Sequence, residues 1–117
     1  MRTIRLMIVV SAAVLASSWA QTGRPDPFKL IEVLGRPGAT LHEKARACQQ
    51  LGEYGGKEAV PALAALLNDP VLAAYARSGL EGIPDPSAVS ALRSALGTLK
   101  GDLLIGVINS LGVLREA

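Results

Sequence analysis

Residues 44–69 read KARACQQLGEYGGKEAVPALAALLND. The stretch has the form of a helix, a glycine turn at Gly55-Gly56, a second helix and a stop at Asp69. A degraded copy follows. Ala59-Val60-Pro61-Ala62-Leu63 returns 29 residues later as Ala88-Val89-Ser90-Ala91-Leu92, and Leu51 returns as Leu80. A period near 30 in an all-helical pattern indicates stacked helical hairpins and not a closed globule.

Working outward, every other segment reads as helix too. Pro27–Leu34 carries Phe28, Ile31 and Leu34 at i, i+3 and i+6, a short amphipathic helix ended by Gly35-Arg36-Pro37-Gly38. Thr40-Leu41-His42-Glu43 has the form of a capping box. The helix it opens runs to about Tyr54 and places Leu41, Ala45, Cys48 and Leu51 on one face. The next helix is expected over Lys57–Leu67, with Pro61 near its first turn and Val60, Leu63, Ala64 and Leu67 inward. Asp69-Pro70 opens a helix to about Leu80, with Leu72, Ala76 and Leu80 inward. Asp85-Pro86 opens another to about Leu99, striped by Val89, Leu92, Leu96 and Leu99. Asp102 is expected to cap the last helix, where Leu104, Val107, Ile108 and Leu111 face one way. No strand signal competes: β-branched residues are scattered and no Asn-Gly or Asp-Gly hairpin turn occurs.

The N-terminus has a different character. Arg2 and Arg5 precede Leu6–Ala16, an apolar run of 11 residues, and Ser18-Trp19-Ala20 closes it with small residues at −3 and −1. This is the pattern of a signal peptide over 1–20, cleaved before Gln21; a membrane span needs about 20 apolar residues. No Cys near the cleavage site supplies a lipid anchor, and Arg2 and Arg5 are not adjacent, which disfavours the twin-arginine route. The expected localisation is therefore exported, periplasmic or secreted, with no membrane association after cleavage. Residues 21–26 form a short polar linker, and the helical repeat domain occupies 27–117.

Removing residues 1–20 also changes the charge. The chain has 12 Lys+Arg against 10 Asp+Glu; without Arg2 and Arg5 the two are equal at 10. A neutral surface attracts polyanions weakly, and Phe28, Tyr54 and Tyr75 are too few aromatics for base stacking, so nucleic-acid binding is disfavoured. A single Cys cannot form an internal disulfide, and folding must rest on packing.

Candidate chemistry is sparse. His42 is the only histidine and sits in a helix's first turn, where it faces solvent or caps. Cys48 lies on the apolar stripe and reads as a small buried hydrophobe; the alternatives are an intermolecular disulfide after export or thioether attachment of a ligand. No Cys-x-x-Cys-His is present for haem. The carboxylates Glu43, Glu53, Glu58, Asp69, Glu81, Asp85 and Asp102 fall mostly at helix starts and turns, which suits capping, and no pair is set for acid–base work. The glycines follow no strand and carry no P-loop lysine, so turns and close helix packing account for most of them. The reading is no catalytic residue, no metal site and no cofactor.

The hairpin Lys44–Asp69 resembles the short bacterial HEAT repeat, also called PBS-lyase HEAT-like. The residues that carry the likeness are Leu51-Gly52, Ala59-Val60-Pro61-Ala62-Leu63, Leu66-Leu67 and Asp69. The second copy is weaker, and Asn109-Ser110-Leu111-Gly112 looks like the first half of a third. The whole stretch is similar to the N-terminal part of larger exported HEAT-repeat proteins. The resemblance implies an all-α fold, an α-solenoid of antiparallel helical hairpins with about two and a half repeats. Its parts would be a capping helix and turn at 27–40, repeat 1 at 41–69, repeat 2 at 70–101 and the first helix of repeat 3 at 102–117. The family's Arg position holds Lys44, Ala73 and Leu104, so an Asp–Arg ladder between repeats is largely absent and hydrophobic stacking is expected to join them. Leu-Gly is also altered to Leu80-Glu81 in the second copy, with Gly82 one place late.

The implied function is a non-catalytic exported scaffold for protein–protein contact, with a protein partner and no small-molecule substrate. In such solenoids the polar side of each second helix is the usual contact face, which here carries Glu58, Ser87, Arg93 and Ser94; an ordinary solvated helix face accounts for them equally, and the sequence assigns no binding residue. Two rivals stand beside it: an N-terminal accessory segment of a larger exported enzyme, and a phycobilisome-lyase-like chromophore-binding protein. Metalloenzymes resembling deoxyhypusine hydroxylase need several His-Glu pairs, and one histidine rules that type out for this chain.

Overall fold

The computed structural model describes residues 25–116, and every regular element within them is helical. The signal peptide read over 1–20 lies outside these residues. Six α-helices follow in order: α1 (Pro27–Gly35), α2 (Leu41–Tyr54), α3 (Val60–Ala64), α4 (Ala73–Gly82), α5 (Pro86–Ala95) and α6 (Gly101–Glu116), with a 3₁₀ turn at Lys57–Ala59 before α3. The helices α1, α2, α4 and α6 pack side by side in one row. The helices α3 and α5 form a second row against it, each meeting the other and the next helix of the first row.

Helix starts follow local chemistry. The Asp26 carboxylate accepts from the Phe28 amide at 3.0 Å, with Pro27 at the first helical position. The Thr40 hydroxyl accepts from the Glu43 amide and the Glu43 carboxylate accepts from the Thr40 amide, both at 3.1 Å, completing the expected capping box. Asp85 caps α5 through the Ser87 amide at 2.9 Å. Asp69 accepts from the Val71 and Leu72 amides at 2.9 and 3.2 Å, and its carbonyl accepts from the Ala73 amide at 2.9 Å. The turn Pro70–Leu72 thus leads directly into α4, which begins three residues later than the Asp-Pro signal suggests and runs on to Gly82.

Two helices are shorter than their sequences suggest. The segment 57–67 is not one helix but the 3₁₀ turn, the short α3, and a tail of i→i+3 bonds in which Leu66 donates to Leu63 and Leu67 to Ala64. Pro61 has no amide to donate back to the Lys57 carbonyl, so the 3₁₀ turn and α3 do not merge into one helix, and tighter turns complete the far end. The helix from Asp85 ends at Ala95 and not near Leu99. The Thr98 hydroxyl donates to the Ala95 carbonyl at 3.3 Å, and Gly97 adds backbone freedom at the same point. At the other end of that link, α6 begins at Gly101, whose φ of +61° lies in the left-handed region. Asp102 therefore sits inside the first turn, where its charge suits the helix dipole; it is not the N-cap.

The core runs along the seam between the rows. Cys48, Leu51, Leu63, Leu80, Leu92 and Val107 are its largest fully buried side chains. Four expected core positions lie elsewhere. Phe28 is 66% exposed, because positions i and i+6 of a helix diverge by about 120° and α2 covers only the side bearing Ile31 and Leu34. Leu41 is 52% exposed: it stands in the first turn of α2, ahead of where α4 crosses. In α5 and the turn after it, Leu92 and Leu99 are buried as expected, but Ala88 and Ala95 join them in place of Val89 and Leu96, leaving Leu96 at the surface. In α6, Ile108 is exposed while Gly106, Val107 and Ser110 are buried.

Candidate functional site

Within the first row, the backbones of α2 and α4 come very close where the two helices cross. A Cβ placed on Gly52 would lie 3.1 Å from the Gly79 Cα, one on Gly79 would lie 2.7 Å from the Cys48 carbonyl oxygen, and one on Gly82 would lie 2.5 Å from the Gly52 carbonyl oxygen. Three glycines thus let two backbones approach without side chains between them. Gly82, one place late by the family pattern, still serves the crossing, and Gly79 supplies a second contact that the Leu-Gly signature does not contain. The spacing Gly79-x-x-Gly82 on one helix face was the available signal for it.

At the next crossing, α4 on α6, a large side chain takes part. The Arg77 guanidinium lies over Gly106, where a Cβ would collide with it. Arg77 is half-buried and Gly106 is buried. The stem of Arg77 packs while its charged end reaches outward across the glycine. Nothing in the helix-pattern reading singled out either residue. Arg77 occupies the position of Cys48 one repeat earlier, which is the position that faces the following hairpin.

The sequence candidates do not converge. His42 is exposed at the start of α2. Glu43 is held below the ordinary carboxylate value, first by the Thr40 amide that donates to it and then by the Thr40 side chain. Asp85 is held low by the Ser87 hydroxyl, which donates to it at 2.6 Å, and then by the Ser87 amide. Cys48 is fully buried, and burial pushes its thiol up to about 11, so it carries little thiolate near neutral pH. Among the described residues, no group of three or more His, Cys, Asp or Glu side chains is placed to hold a metal, and no helix is long and apolar enough to cross a membrane.

The four residues read as a contact face also separate. Glu58 bends back to accept from the Gly56 amide at 3.0 Å, and Ser87 is engaged by Asp85. Ser94 lines a shallow depression of about 360 Å³ between α3 and α5, together with Ala64, Asn68 and Thr98. Arg93 lies on the opposite flank of α5. There it lines a larger apolar groove of about 750 Å³ with Val89 of α5, with Leu96 just after that helix, and with Ile108, Leu111 and Arg115 of α6. This groove, at the end of both rows, is the larger of the two.

Comparison with known proteins agrees with the geometry. The family described as PBS lyase HEAT-like repeat matches residues 44–69, the segment that builds α2, the 3₁₀ turn, α3 and the capping Asp69. No curated protein and no solved structure matches the chain. With an all-helical fold, two packed rows and the glycine crossing that follows Leu51, the chain carries a PBS lyase HEAT-like repeat at residues 44–69.

Proposed function

We propose that this chain is an exported, non-catalytic scaffold that binds another protein through its stacked hairpins. The observation that carries the reading is the two-row arrangement itself, which buries one seam and leaves extended helix faces with an apolar groove at one end. The distribution of polar groups supports it. The capping carboxylates are engaged with backbone amides, the only histidine is exposed on its own, and the only thiol is buried. Export rests on the residues of 1–20, with the domain beginning near Pro27 after a short linker.

Chemical crosslinking of a tagged chain in envelope material, read by mass spectrometry, tests the binding role. A partner crosslinked reproducibly to the helix faces, and lost when α2 and α4 are forced apart, is the expected result. Crosslinks spread evenly over many abundant proteins would sink the scaffold reading. N-terminal sequencing of the same material is expected to begin at Gln21; an intact Met1 would remove export.

A further inference from the structure

We draw no further inference here: the strongest candidate, the depression of about 360 Å³ between α3 and α5, is lined only by small, aliphatic and neutral polar side chains, and nothing in the structure shows what covers it.

Discussion

Gly79→Ala places one methyl group at the buried centre of the α2–α4 crossing. The new Cβ would sit 2.7 Å from the Cys48 carbonyl oxygen and 3.1 and 3.2 Å from the two Leu63 methyls, against an ordinary contact of 3.4 Å or more. The oxygen belongs to the backbone of α2 and cannot rotate away, so the crossing must open by about 0.7 Å in a close-packed interior. Overpacking of this kind costs about 1–3 kcal/mol, and a rigid backbone obstacle puts it near the upper end. Replacing Gly by Ala inside a helix returns roughly 1 kcal/mol. The net loss is then about 1–2 kcal/mol, or a fall in Tm of roughly 5–15 °C for a domain of this size. Thermal unfolding followed by circular dichroism measures it, with Gly112→Ala as the control. Gly112 is also helical, but nothing lies within 4 Å of its added Cβ, so that variant gains about 0.5–1 kcal/mol from propensity alone. If Gly79→Ala matches or exceeds the parent in stability, the close crossing does not hold in solution and the account of how the row is joined is wrong.

Cys48 is expected to resist a thiol reagent at pH 8 in the folded chain and to react promptly once urea unfolds it; fast labelling without denaturant would contradict its burial. Because burial raises its folded pKa from 9.0 to about 11, the fold binds the proton more tightly than the unfolded chain. Stability from this group is complete below about 9 and is lost as pH rises toward 11, so urea midpoints should fall across that window unless Cys48 is replaced by Ala. Thr40→Ala is expected to cost about 1 kcal/mol at neutral pH by urea titration. The lowered pKa of Glu43 gives the parent an acid dependence of the opposite sign: its contribution is present above 4.5 and disappears as pH falls through the lower folded value, a slope the Thr40→Ala chain should flatten. Leu92→Ala, at a fully buried position, should lose about 2–5 kcal/mol, whereas Phe28→Ser, at one 66% exposed, should stay within about 0.5 kcal/mol. A large loss from Phe28→Ser would restore the sequence-based assignment of that residue to the core.

That last contrast shows what the sequence carried. The element types, the capping box at Thr40 and Glu43, and most of the inner stripe were legible because each is written in neighbours three or four residues apart. Phe28, Leu41, Leu96 and Ile108 were misplaced because an apolar side chain on a helix has two possible covers, and only tertiary packing decides which face receives one. In α6 the difficulty is greatest: Ile105, Ile108 and Val113 are as apolar as Val107, so periodicity cannot locate the buried side. The break between the 3₁₀ turn and α3 reflects the amide that Pro61 lacks, and the early end at Ala95 the Thr98 hydroxyl that takes its carbonyl; no residue marks the end at Ala64. The contact face was the least legible, because Ser87 and Glu58 are drawn into local bonds and Arg93 and Ser94 point to opposite flanks of the same helix.

The glycine crossing has a mechanical consequence. Along the row holding α2 and α4, Gly52, Gly79 and Gly82 bring adjacent backbones together with no side chain as a spacer. In the row holding α3 and α5, side chains separate the neighbours and a depression of about 360 Å³ remains between them. A stack drawn in on one side and held open on the other bends like an arch whose stones are narrower at the inner edge. Adding a methyl group at Gly79 would widen the inner edge, so the same substitution that lowers stability would also straighten the curve along which the hairpins follow one another.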